Sequence, residues 1–220
     1  MVDGIWCLRQ AGRRSAGGGL FRFGAGASCS YLIAAADGIV VVDPGPGAAS
    51  MAATLATLGR GPAGVSAILL THWHEEMGAA GLRDLTGAPL HYHAAEAPLL
   101  AGRGQEADVL VRDGDQVAGG ALRVVASPGH SQGHVCYFHP STGTLFAGHA
   151  LTVAGGELRL GARPAAADVP AARRSIARCL ELPIEHVCPG RREPLSDRAG
   201  EKARATRSRI LTGARWPLLG

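Results

Sequence analysis

Thr71-His72-Trp73-His74-Glu75-Glu76-Met77-Gly78 is the stretch on which the reading of this 220-residue chain turns. The apolar run Val65 to Leu70 leads into it, and a segment of helical character follows. Two histidines at i and i+2 at the mouth of a strand can direct both imidazoles into one cleft. Neutral imidazole is a common ligand for zinc and other first-row metals. Two ligands rarely hold a metal by themselves, so more histidines are expected downstream. They stand in Ser127-Pro128-Gly129-His130-Ser131-Gln132-Gly133-His134 and in Phe146-Ala147-Gly148-His149.

Working outward, Val65 to Leu70 is, Ser66 aside, a β-branched and aliphatic run, as expected for a buried strand. Upstream, Ile5 to Arg9 and Leu20 to Phe23 read as short strands joined by a Gly- and Arg-rich turn, Gly12 to Gly19. Ser28 to Ala35 and Gly38 to Asp43 form a hairpin about Asp37-Gly38, a strong turn dipeptide. Ala48 to Leu58 follows a helical pattern ended by Gly59. Downstream, Glu76 to Leu85 is a helix, Pro89 to His93 a strand and Ala94 to Leu100 a short helix. A second half opens near Val109, with strands at Leu122 to Ala126, Val135 to Phe138, Thr144 to Ala147 and Ile184 to Cys188. Helices are expected at Asp168 to Leu180, with Asp168 as N-cap, and at Arg198 to Leu211. Periodicity alone gives a mixed α/β chain.

Bulk composition narrows the function classes. With 46% hydrophobic and 18% charged residues, the chain suits a globular protein of one domain, residues 1–220. Net charge is +4, and Lys202 is its one lysine; the arginines are scattered and most lack interleaved aromatics, so nucleic acid is not expected as a partner. Five cysteines, odd in number and with no C-x-x-C pair, read as reduced thiols packed as small hydrophobes. With no apolar signal core and no stretch of membrane-spanning length, a cytoplasmic protein without a membrane partner is expected. A homodimer is compatible with this composition.

The ordered motifs resemble the metallo-β-lactamase superfamily. Its T-H-x-H-x-D-H-x-G, T-P-G-H-T-x-G, F-x-G-D and late P-G-H stations are matched here by THWHEEMG, SPGHSQGH, FAGHAL and CPGRRE. The early strand pair ending in D-x-G is matched by Tyr31 to Ile33 and Ile39 to Gly45. The resemblance covers Ile5 to Arg191 and implies a four-layer α/β/β/α sandwich.

It also implies a site. The first metal of the family would fall to His72, His74 and His130, leaving a fourth position open for water as in catalytic zinc sites. The second-metal positions have all changed, to Glu76, Met77, His149 and Arg191, which implies a single ion. Thioether sulfur suits Cu(I) better than zinc, and a guanidinium repels a cation. Arg191 would replace the second ion's charge, pairing with Glu76 or holding a substrate carboxylate or phosphate; pointing to solvent is the plainer alternative. His149 stands where the family has a bridging aspartate, and becomes a candidate fourth ligand. Asp43 would support the ligands from behind. His134 is read as a loop hydrogen-bonding residue, His91 and His93 as peripheral, and Trp73 as core.

The function this implies is a mononuclear zinc-dependent hydrolase of a small ester, thioester or lactone, with Glu76 as general base. Glyoxalase-type thioesterases are the nearest analogy, without the helical domain that binds glutathione in some of them. A catalytically impaired binding or regulatory protein is the rival. An iron oxygenase or lyase on the same fold is a third reading, although the iron triad of the persulfide dioxygenases is broken by His149.

Overall fold

The computed structural model describes residues 5–8, 29–45, 47–75, 78–161 and 168–213. Two units divide the chain, Met1–Val111 and Arg112–Gly220. The expected strand Leu20 to Phe23, the turn before it, and Glu76 and Met77 lie outside the described residues.

In the first unit six strands form one sheet in chain order: β1 (Ile5–Leu8), β2 (Ser30–Ala35), β3 (Gly38–Val42), β4 (Val65–Leu69), β5 (Leu90–His93) and β6 (Val109–Val111). The Asp37-Gly38 turn brings β2 and β3 together antiparallel, Ala35 opposite Gly38 and Tyr31 opposite Val42. From β3 to β6 each neighbour is parallel, so the intervening segments must cross over, and helices supply the crossing. These are α1 (Ala48–Thr57), α2 (Ala79–Thr86) and α3 (Ala97–Ala101). Leu55 of α1 and Leu82 of α2 pack with Leu32, Val41, Ile68 and Leu90 in one core.

Two expectations need correction here. The second helix starts at Ala79, not Glu76, because Gly78 is left-handed (φ 81°) and ends the preceding turn before the helix begins. A Cβ at Gly78 would lie 2.2 Å from the Gly45 carbonyl oxygen, so the glycine also lets the Asp43-Pro44-Gly45 turn approach the histidine segment. Val109 does not open the second half. It pairs with His91, as the first residue of the first sheet's last strand.

The second unit holds a five-stranded sheet in the order β13, β10, β9, β8, β7. Its members are β7 (Gln116–Val117), β8 (Leu122–Ala126), β9 (Val135–His139), β10 (Thr144–Gly148) and β13 (His186–Pro189). Pairing is antiparallel except between β10 and β13. A separate hairpin, β11 (Leu151–Ala154) with β12 (Glu157–Leu160), turns at Gly155-Gly156. Two helices complete the unit, α4 (Val169–Cys179) and α5 (Ala199–Leu211). Asp168 caps α4 as expected, its carboxylate accepting from the Ala171 N–H at 2.9 Å. The core of this unit joins Val125, Phe138, Leu145, Leu158, Ile176 and Val187.

No helix among the described residues is long and apolar enough to cross a membrane. Cys29, Cys136, Cys179 and Cys188 are buried free thiols. A hydrogen bond with neighbouring Cys136, together with burial, raises the Cys179 thiol well above its ordinary range. Cys179 is therefore a packing group, since a nucleophilic cysteine needs a depressed pKa and access.

Candidate metal-binding site

The histidine segment leaves β4 through Thr71 and His72 and closes into a short 3-10 turn, Trp73–Glu75. His72 is fully buried. Its Nδ1 lies 3.0 Å from Thr71 Oγ1, whose hydroxyl donates to Asp43 Oδ2 at 2.8 Å. The Thr71 N–H donates to Asp43 Oδ1 at 2.7 Å. The chain of donors fixes the tautomer. Since Thr71 gives its single proton to the carboxylate, its oxygen accepts from His72 Nδ1–H, and Nε2 is left as the lone-pair atom of the ring.

Asp43 thus reaches His72 through Thr71. It is buried and sits at φ 51°, a left-handed conformation that aspartate tolerates better than most residues.

His74 follows two residues on, its ring centroid 5.1 Å from that of His72 and nearly perpendicular to it. Each ring offers a nitrogen, and these lie within 4.8 Å of one another. Trp73 packs against the first core, with the Arg103 guanidinium 4.5 Å above its ring. The Trp73 N–H donates to Glu96 Oε2 at 2.9 Å. Glu96 is a buried carboxylate that the sequence reading missed; its position in a short amphipathic helix carries no mark of that contact. His93, peripheral as expected, caps the turn after β5 by accepting from the Ala95 N–H.

In the second unit the Ser127-Pro128-Gly129-His130 loop is held against α4 at Pro128 and Gly129. Ser175 of α4 donates to the Pro128 carbonyl at 2.8 Å, and Gly129 (φ 136°) lies so close to α4 that a Cβ would meet Ala172 at 2.4 Å. His134 is fully buried and works as a loop hydrogen-bonding residue. Its Nε2 accepts from the His149 N–H at 3.2 Å, so its Nδ1 carries the proton toward Ser127 Oγ, 2.7 Å away.

His149 is buried at the end of β10. Its Nδ1 lies 3.3 Å from His130 Nε2, and the Arg191 Nε–H donates to its Nε2 at 3.1 Å. The separation of 3.3 Å between imidazole nitrogens suits a hydrogen bond. It equally suits two ligands of one tetrahedral ion, for which Zn–N bonds of about 2.0–2.1 Å give about 3.3–3.4 Å between ligand atoms. The donor set fits zinc or iron on its chemistry, because neutral imidazole is the ligating form. Burial, with the nearby Arg191 charge adding, lowers the His149 pKa to about 3.

These depressed values carry a pH prediction. Burial holds His91 and His139 below the ordinary histidine range as well, although Asp108 opposes the shift at His91. A histidine whose pKa is lower folded than unfolded binds its proton more readily in the unfolded chain. The stability it supports is complete above the unfolded value of about 6.5 and is lost as the pH falls toward the folded value. Between pH 6.5 and 5, His149 alone accounts for about 2 kcal/mol. Thermal melts of metal-free protein are expected to drop by several degrees from pH 7.5 to 5.0, and an unchanged melt would refute this.

The family model of the metallo-beta-lactamase superfamily matches residues 23–191. Hydroxyacylglutathione hydrolase of Yersinia pestis (strain Pestoides F) is 37% identical over 121 residues, 53% of this chain and 43% of that protein. The chain therefore spans less than half the length of the curated relatives it matches. Among solved structures, TTHA1623 in a di-iron-bound form is 29% identical, with a TM-score of 0.65 over 77% of this chain and 89% of that one. DIM-1 metallo-beta-lactamase, 20% identical, has a TM-score of 0.69 over 85% and 88%. These likenesses bear out the expected fold class, the α/β sandwich of that family.

Proposed function

Because the chain belongs to the metallo-β-lactamase superfamily, we propose that it is a metal-dependent hydrolase of a small ester, thioester or lactone, working as a single domain. His72, His74 and His130 serve as ligands of one ion, and His149 is the fourth candidate. Zinc held there supplies a Lewis acid that polarises a carbonyl and acidifies water. The carrying observation is the Asp43–Thr71–His72 relay, which leaves Nε2 of the buried His72 imidazole as its lone-pair atom. A core histidine needs no such two-step orientation, whereas a ligating one does.

Glu76 stands where the family has an aspartate and is the proposed general base, taking a proton from the attacking water. With a thioester, the new C–O bond forms as the C–S bond breaks, giving a carboxylic acid and a thiol. Exposed Arg191 keeps its terminal nitrogens available for an anionic group on the substrate.

Metal analysis with a turnover assay tests this reading. One zinc per chain is expected, with thiol release from a hydroxyacylglutathione thioester. The thioester is chosen because the curated relatives are hydroxyacylglutathione hydrolases. Absence of metal from protein purified without chelator, together with no turnover of thioester, aryl ester or lactone, would overturn it. Iron enters the same assay because TTHA1623 has been crystallised in a di-iron-bound form.

A binding or regulatory role is the second reading. It is favoured by Arg191 and His149, which replace second-metal ligands of the family and are hydrogen-bonded to each other.

A further inference from the structure

In the first unit, one segment grips the turn that carries His74. It runs from β5 through a 3-10 turn, Ala94–Glu96, into α3. Its backbone is set at several points. His93 Nδ1 accepts from the Ala95 N–H at 3.2 Å, Pro98 stands in the first turn of α3, and fully buried Leu100 anchors that helix in the first core. The Arg103 N–H then closes on the Leu100 carbonyl at 3.0 Å.

Two side chains of this segment reach Trp73. Glu96 Oε2 accepts from the Trp73 N–H at 2.9 Å, and the Arg103 guanidinium lies 4.5 Å from the centre of the Trp73 ring. The Trp73 N–H is the first of the turn Trp73–Glu75, where no carbonyl of the turn itself can accept it. The His74 ring in turn lies against the Trp73 ring, with centroids 3.7 Å apart and planes at 55°. Whatever fixes Trp73 therefore bears on His74.

A buried carboxylate is a costly acceptor. Glu96 is 1% exposed, and an ionised carboxylate is stable at such a place only where hydrogen bonds compensate its lost hydration. In return, its charge makes the bond to the amide roughly twice as strong as a neutral acceptor would. An apolar side chain would fill the same space without that cost, and would leave the first amide of the turn without this acceptor.

We infer that Glu96 is a positioning residue for His74: by capping the Trp73–Glu75 turn it fixes the Trp73 ring against the imidazole, and so sets where that imidazole lies. The inference rests on the proposed ligand role of His74 and concerns residues of the first unit alone. Arg103 supports the same arrangement at the Trp73 ring.

The first test uses metal-free protein and no turnover assay. With ¹⁵N-labelled tryptophan, the Trp73 amide proton of wild type is expected well downfield, as a donor to a carboxylate, and Glu96→Ala should move it upfield. Glu96→Gln, whose carbonyl oxygen can accept the same bond, should return it most of the way. The His74 ring resonances of ¹⁵N-histidine-labelled protein should follow the Trp73 amide through the three proteins. His74 resonances that keep their wild-type positions in Glu96→Ala overturn the inference and leave the hydrolase proposal standing.

The second arm reads the Co(II) affinity of the full chain. Glu96→Ala is expected to bind Co(II) about 10- to 100-fold more weakly, the usual range for groups that hold metal ligands in place, and Glu96→Gln to recover most of the loss. Tyr92→Phe is the control for stability. It removes a hydroxyl that donates to the Gln105 carbonyl at 2.9 Å and accepts from the Ala107 N–H at 2.9 Å. That variant should melt lower and keep wild-type Co(II) affinity. A Glu96→Ala protein that melts lower yet binds Co(II) like wild type makes Glu96 a packing group and overturns the inference, as does equal weakening in Tyr92→Phe. Wild type that binds no Co(II) overturns the hydrolase reading instead, and the His74 resonances then decide the positioning role.

Discussion

Gly161→Ala is expected to destabilise the protein by about 3 kcal/mol or more, and to lower its melting temperature by about 10 °C. The added methyl would sit 1.7 Å from the His149 carbonyl oxygen and 2.7 Å from its carbon. Both are backbone atoms, so no rotamer change relieves the clash. The strand end at Leu160 or the turn at His149 must move, and the Gly161 N–H bond to Ala150 (3.0 Å) is lost either way. The turn also carries the His149 N–H that holds His134, so displacement should spread into the Ser127 loop. Gly61→Ala is the control: nothing lies within 4 Å of its would-be Cβ. Its melting temperature should match wild type to within a degree or two. Equal melts for Gly161→Ala and wild type would show that the close approach does not exist in solution.

Asp43→Ala carries the second large effect. The carboxylate is buried and accepts from both the backbone N–H and the hydroxyl of Thr71. Removing it leaves two buried donors without their acceptor, a loss of about 2–4 kcal/mol. It also frees the Thr71 hydroxyl to turn its proton toward His72 Nδ1, which reverses the tautomer that presents Nε2. Zinc affinity should fall about 10- to 100-fold. Asp43→Asn separates the two effects, because asparagine tolerates the left-handed backbone yet offers one acceptor oxygen in place of two. It should recover most of the stability and less of the affinity. An alanine variant that melts and binds zinc like wild type would remove Asp43 from any orienting role.

The fold was legible wherever local chemistry and tertiary packing agree. Asp37-Gly38 gave the first hairpin, Gly59 the end of α1 and Asp168 the start of α4, because turn and cap preferences are properties of a few adjacent residues. The β11–β12 hairpin was missed although its Gly155-Gly156 turn, flanked by Leu151, Val153, Leu158 and Leu160, carried a signal. The start of α2 was misplaced because Glu76 and Met77 favour helix while Gly78 takes a left-handed conformation, and backbone angles are not written in propensity.

At the site, the histidines announced themselves by their order along the chain. Thr71 did not, since its part depends on Asp43, 28 residues away, arriving within 2.7 Å. Glu96 was invisible for the same reason: a carboxylate in a short helix looks solvent-facing until the Trp73 amide is found against it. The contact between Arg191 and His149 spans 42 residues. The sequence could mark both as departures from a family pattern, and only the structure could show that they touch.

His134 has a practical consequence. A fully buried ring whose Nδ1–H is held by Ser127 should exchange that proton with water only when the surrounding sheet opens. It should therefore give a separate, long-lived imide resonance, well away from the amide envelope. Because its Nε2 is bonded to the main chain of His149, that one signal offers a native reporter for events at the neighbouring turn, with no label or engineered probe.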